Sequence, residues 1–139
     1  MSDLEQIERF IAKHHLLTLA TCNDTKPFCC SSFYTYDKKT KSFIIAADKK
    51  TTHIKNVLAN PNVAANIHLE TKEIGKIEGL QIEGTLQLCE KKELQQLYFK
   101  AFPYALAMRP TLWQLQPSRF KLTDNKLGFG KKIIFEFSK

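Results

Sequence analysis

The spacing of apolar and polar positions changes period several times along the chain, and each change predicts an element. Leu4, Ile7, Phe10 and Ile11 follow Ser2-x-x-Glu5, a capping-box pattern, at helical spacing. They predict an amphipathic helix ending near His14-His15, where the histidines read as helix-end residues beside the negative dipole end rather than as metal ligands. Residues 16–22 (LLTLATC) and 27–36 are β-rich and are parted by the turn-like Asn23-Asp24-Thr25-Lys26. Asp37-Lys38-Lys39-Thr40 then turns the second strand into a third. That third strand, residues 43–47, is an apolar run too short for a helix.

Residues 43–69 (FIIAADKKTTHIKNVLANPNVAANIHL) organise the rest. Asp48-Lys49-Lys50 breaks the strand, and Thr51 or Thr52 is placed to cap a helix whose apolar face carries Ile54, Val57 and Leu58. Pro61 ends that helix by disfavouring helical geometry at Asn60. Residues 63–69 read as a strand. In residues 79–88, Leu80, Ile82, Leu86 and Leu88 alternate with polar neighbours, and Gly84 falls in the apolar series, which marks a bulge, a bend or a close backbone approach. Residues 91–102 predict a helix with Leu94, Leu97 and Tyr98 on one face, ended by Pro103. Leu106, Met108, Leu112, Trp113 and Leu115 read as core or interface residues. The tail reads as strand, polar turn, glycine-rich loop and strand.

Short strands joined by tight turns, in a strand-rich, two-helix order, predict a mainly β fold with flanking helices (α+β): a small closed or nearly closed antiparallel barrel with helices packed outside it. A chain of 139 residues suggests one domain, residues 1–139. Its 43% hydrophobic and 25% charged composition is that of a globular protein, and its apolar runs fall far short of a membrane span. The acidic start MSDLEQIERF has no apolar signal core, so a cytoplasmic location is the expectation. The net charge of +7 fits attraction to anionic small molecules as well as to nucleic acid, because the 21 Lys and Arg residues are spread along the chain. Nucleic acid ranks last.

Cys22, Cys29, Cys30 and Cys89 show no metal or redox spacing and read as buried reduced thiols, the alternative being a catalytic thiol, so no metal is expected. No nucleophile elbow, Walker loop or dinucleotide glycine pattern is present, and no residue stands out as an obligatory acid or base. An enzyme of this size would take its chemistry from a cofactor. The start of the second helix is the candidate site. Its free backbone N–H groups and positive dipole end suit a phosphate, with Lys50, Thr51, Thr52 and His53 around them. The same residues also read as a capped surface helix with solvated charges. Gly128-Phe129-Gly130 beside Lys131 and Lys132 reads either as a plain turn or as an anion-contacting surface.

The succession of the LATC strand, PFCCSSFYTYD, SFIIAADKKTTH, VLANPNVA and QIEGT resembles the pyridoxamine 5′-phosphate oxidase-like split-barrel flavoproteins. The tail FKLTDNKLGFGKKIIF resembles the YhbP-like branch of that superfamily more closely still. The resemblance implies an FMN-binding split β-barrel homodimer with cofactor at the subunit interface. It assigns the FMN phosphate to Lys50, Thr51, Thr52 and His53. It assigns the flavin ring to Cys30, Ser31, Ser32 and Phe33, with Ala46 and Ala47 from the neighbouring strand. Trp113 and residues 125–132, including Asn125, Lys131 and Lys132, are the candidates for closing the site from a second subunit. The chain departs from the superfamily in having Thr52 and His53 where an Arg or Lys often accompanies the phosphate-binding hydroxyl. It also lacks the arginine-rich tail of true pyridoxamine 5′-phosphate oxidases. The function implied is a small flavin-dependent oxidoreductase of unknown substrate, the alternative being a non-catalytic module that binds or senses flavin or haem.

Overall fold

The computed structural model describes residues 1–138. Helix α1 (Asp3–Ala12) begins at Ser2, whose hydroxyl accepts from the Glu5 amide at 3.1 Å. Strands β1 (Leu16–Asn23), β2 (Lys26–Asp37) and β3 (Ser42–Ala46) form an antiparallel meander. Helix α2 (Thr52–Ala59) leads to β4 (Asn62–His68), and β5 (Glu78–Leu88) follows. Helices α3 (Lys92–Ala101) and α4 (Pro103–Met108) precede the long β6 (Leu112–Asp124) and the short β7 (Lys132–Glu136).

The strands form one seven-stranded sheet in the order β3-β2-β1-β4-β5-β6-β7, and β3 also pairs with β6. Six strands therefore follow one another in a ring of antiparallel ladders, with β7 attached to β6. The alternation explains why they pack. Leu17 and Leu19 of β1, Val63, Ala65 and Ile67 of β4, and Leu80 and Ile82 of β5 share the inner face and are buried. Ile7, Phe10 and Ile11 of α1 join this core. Strand β3 is buried on both faces: Phe43 and Ile45 enter the main core, while Ile44 packs outward with Leu94 and Tyr98 of α3.

Gly84 has a definite reason to be glycine. The β5–β6 register shifts between Glu83 and Gly84, and a Cβ there would lie 2.3 Å from the Gln116 carbonyl oxygen. The bulge brings the two backbones too close for any side chain.

Most strand and helix positions follow the sequence pattern to within a few residues, but the tail strand expected from Phe120 begins at Leu112, and there are further exceptions. Leu58, expected on the apolar face of α2, is 68% exposed; the helix turns Asn56 inward instead, where its side-chain amide donates to Thr21 Oγ1 at 3.1 Å. Pro103 does not simply end a helix but starts α4, because its missing N–H costs nothing at a first helical turn. Leu112, Trp113 and Leu115 are buried as expected, whereas Leu106 and Met108, on α4, are exposed. Of the four cysteines, only Cys89 is buried; Cys29 is exposed, and Cys22 and Cys30 are intermediate. No helix among the described residues is long and apolar enough to cross a membrane.

Candidate functional site

The corner between β3 and α2 is built by local hydrogen bonds. The Asp48 carboxylate accepts from the Lys50 amide at 2.7 Å, an Asx-type turn. The Asp48 carbonyl accepts from both the amide (3.1 Å) and the hydroxyl (2.7 Å) of Thr51. Thr51 is the N-cap residue, yet its hydroxyl is turned back into the corner and caps nothing. The first backbone bond of α2 runs from Lys55 N to Thr51 O at 3.0 Å. The amides of Thr52, His53 and Ile54 precede it and have no carbonyl within the helix to receive them.

This corner is held from below. The Ala47 amide donates to Thr111 O at 3.0 Å, and its carbonyl accepts from the Trp113 indole N–H at 2.9 Å. The Asn56–Thr21 bond anchors α2 to β1. Beside the corner lies a cleft of about 530 Å³. One wall is Ala46, Ala47, Asp48, Lys49 and Lys50; the other is Ala105, Met108, Arg109, Pro110 and Thr111. Three cations therefore face one carboxylate, which gives the cleft a positive field. His53 Nε2 lies 3.3 Å from Thr51 Oγ1, and partial burial pushes the His53 pKa below its ordinary value. It is a neutral hydrogen-bonding group near neutral pH, and the positive charge comes from the lysines and Arg109.

The residues expected from the sequence are only partly brought together. Ala46, Ala47 and Lys50 line the cleft, whereas Thr51, Thr52 and His53 follow Lys50 in the chain without lining it. Cys30, Ser31, Ser32 and Phe33 do not act as one surface. Cys30 and Ser32 pair with Leu19 and Leu17 on the inner side, while Ser31 and Phe33 point outward and are exposed. Strand β2 leaves β3 after the Tyr34–Ile45 pair, so none of these four lines the cleft.

Trp113 is 2% exposed and supports Ala47 from inside the core, so it offers no face with which to close a site across an interface. Asn125, Lys131 and Lys132 lie at the far end of β6 and β7. The Asn125 side chain is spent within the chain, donating to Ile74 O of the β4–β5 connection at 2.9 Å and accepting from Gly130 N of its own loop at 2.9 Å. The sequence reading missed Arg109 and the α4 wall. The available signal was the dipeptide Arg109-Pro110 following an unexpected helix start at Pro103.

An antiparallel β protein with a basic cleft at a strand-to-helix corner is a recognisable class. The family described as pyridoxamine 5′-phosphate oxidase matches residues 4–121. A UPF0306 protein of Cronobacter sakazakii is 34% identical over 138 residues, covering 97% of this chain and 96% of that one. The UPF0306 protein YhbP of Salmonella arizonae is 32% identical, covering 96% and 92%. This chain belongs to the pyridoxamine 5′-phosphate oxidase family and, within it, to the group of YhbP-like UPF0306 proteins. The resemblance read from the tail and the KTTH segment is borne out.

Among solved structures, a haem-binding protein from Mycobacterium smegmatis matches with a TM-score of 0.81 at 17% identity, covering 98% of this chain and 58% of that protein. An FAD-binding protein from Mesorhizobium loti matches with a TM-score of 0.71 at 13% identity, covering 88% and 92%. At such identities the likeness is one of fold.

Proposed function

We propose that this chain is a split-barrel flavoprotein that binds FMN at the interface of a homodimer and works as a small oxidoreductase, with residues 1–139 forming one cofactor-binding domain. The observation that carries the reading is the β3–α2 corner, where three amides without helical partners follow in the chain directly after the cleft residues Lys49 and Lys50 and the N-cap residue Thr51. Backbone N–H groups and the positive end of a helix dipole suit a phosphate monoester. A cleft of about 530 Å³ is of the size that holds small ligands, and Ala46 and Ala47 leave room beside the backbone for a flat ring. The ring of six ladders supports reading the sheet as a split barrel.

FMN, when bound, supplies the electron transfer. The chain's part is to bind and orient it. The Thr52 and His53 amides and the Lys50 ammonium would hold the phosphate, while Thr51, bonded to Asp48, keeps the corner in shape. A homodimer would also cover apolar surface. Leu16 and Phe33 are paired across β1 and β2 on the outer face and are 51% and 53% exposed.

The second reading, haem binding, draws on the Mycobacterium smegmatis neighbour. Among the described residues lining the cleft, Met108 is the one soft side chain for a haem iron, and no histidine lines it. That ranks flavin first. The test is the visible spectrum of the purified protein before and after incubation with FMN and desalting. Flavin bands that survive desalting are expected, and Lys50→Gln, which removes the assigned ammonium contact, should weaken FMN binding about tenfold without altering the fold. Unchanged affinity in that variant would sink the phosphate assignment, and a haem-like band would move the reading to the second.

A further inference from the structure

Only one wall of the cleft carries the phosphate contacts proposed above. The opposite wall is the corner between α4 and β6, and its geometry is unusual. Arg109 closes α4 in the left-handed conformation, with φ 45 and ψ 56, and its amide donates to Leu106 O at 3.2 Å. A left-handed helix cap is normally occupied by Gly or Asn, because a Cβ is crowded there. Pro110 follows and disfavours right-handed helical geometry at Arg109, which fixes the direction of the turn. Two residues later, Thr111 O accepts from Ala47 N at 3.0 Å. The corner that carries Arg109 is thereby bonded directly to the wall that carries Lys50.

The arginine is placed but not used within the chain. Among the described residues its guanidinium makes no ion pair and no hydrogen bond, and the residue is exposed at the cleft. Asp48 is the one carboxylate lining the cleft, and it is engaged with the Lys50 amide. A planar guanidinium presents paired N–H donors that match two oxygens of a phosphoryl group, which an ammonium cannot reproduce.

We propose that Arg109 is a specificity-determining residue that makes this cleft select phosphoryl-bearing ligands over their uncharged counterparts, acting across the cleft from Lys50. The inference rests on the flavin reading above and adds to it a residue from the opposite wall.

The experiment compares FMN with riboflavin, which differ by the phosphoryl group alone, in fluorescence titrations of the full chain and of Arg109→Gln, Arg109→Lys and Arg109→Gly. The wild-type protein should prefer FMN. In Arg109→Gln, FMN affinity should fall about tenfold, the scale of one lost charge-assisted hydrogen bond, with riboflavin affinity within about twofold of wild type. Arg109→Lys should recover part of the preference. Arg109→Gly, which relieves the left-handed strain, should lose the preference as fully as the Gln variant while melting at a higher temperature. An FMN-to-riboflavin ratio unchanged in Arg109→Gln would overturn the proposal, as would equal weakening of both ligands, which would mark a residue that only shapes the corner. If neither flavin binds the wild-type protein, the flavin reading fails by itself. The same variants are then heated with inorganic pyrophosphate: a wild-type stabilisation lost in Arg109→Gln upholds phosphoryl selection by Arg109, and its absence from the wild type overturns it.

Discussion

Two lysine pairs sit at turns at opposite ends of the sheet, and their backbones differ in what they have left to donate. Lys49-Lys50 stands between β3 and α2. Lys131-Lys132 stands where the β6–β7 loop enters β7. The two are far apart within one chain: Leu112, which pairs with Ala46, and Asp124, which lies beside the second loop, are separated by about 40 Å of extended strand. In the β6–β7 loop most backbone donors are taken by acceptors of the chain itself. Gly128 N donates to Asn125 O, Lys131 N to Gly128 O, Asp124 N to Lys131 O, and Lys126 N to the Asp124 carboxylate. Gly128 (φ 137) and Gly130 (φ 72) permit this folding-back of the chain. The Lys126 ammonium is paired with Glu78, which is mostly buried. At the β3–α2 corner the helix start instead leaves three amides over. A run of lysines attracts anions loosely; free backbone donors with fixed geometry turn attraction into a site.

Neutralising each lysine pair tests this difference most directly. Lys49→Gln with Lys50→Gln should weaken FMN binding about 10- to 100-fold and flatten its salt dependence. Lys131→Gln with Lys132→Gln should change affinity by less than about twofold. Equilibrium titration at two ionic strengths reads both. A large loss in the second variant would mean that the loop of a second copy reaches the cleft, the role assigned to residues 125–132 by family resemblance.

The same contrast explains what could and could not be read from the sequence. Alternation and turn residues are local, so the strands β1 to β5, α1, α2 and the Gly84 irregularity were legible, while the first half of β6 was not. The corner at Lys50 was legible too, because a strand, a polar break and a helix start lie within a few residues. The opposite wall was not. Arg109 reaches the cleft only because Thr111 bonds to Ala47 far away in the chain, and no spacing rule reports such a meeting. Trp113 failed as an interface candidate for the same reason: its indole is satisfied by a carbonyl 66 residues distant. In the tail, Gly-x-Gly and Lys-Lys read as a plain turn or as an anion surface, and acceptors of the chain itself take most of the loop's donors.

A smaller effect separates the two walls of the cleft. The Asp48 turn is held by compatible residues, whereas the Arg109 corner holds an arginine where glycine is at ease. Arg109→Gly should therefore stabilise the fold by about 1 kcal/mol, a rise of about 3–5 °C in Tm. Asp48→Ala should do the reverse, because the Lys50 amide loses its acceptor. Thermal denaturation without ligand measures both. A drop in Tm for Arg109→Gly would show that the left-handed turn costs the arginine nothing.

The smallest expected effect concerns protons. The β3–α2 corner has a titratable group near neutrality and the β6–β7 loop has none. Burial is the cause given by the surroundings of His53 for a pKa below the ordinary 6.5. The unfolded chain then binds the proton more readily than the folded one, so protonation favours unfolding. The stabilising contribution of neutral His53 is complete above about pH 6.5 and is lost as pH falls through its lower folded value. His14 shifts in the same direction, again chiefly through burial, so His53 carries only part of the acid-side slope. Replacing His53 by Gln should narrow the difference in Tm between pH 7.5 and pH 5.5 by about 1–2 °C, while the Lys131 and Lys132 variant leaves it as in the wild type. An unaltered slope in His53→Gln would mean that the corner does not desolvate this imidazole, and that its place in the site is that of an exposed cation at low pH.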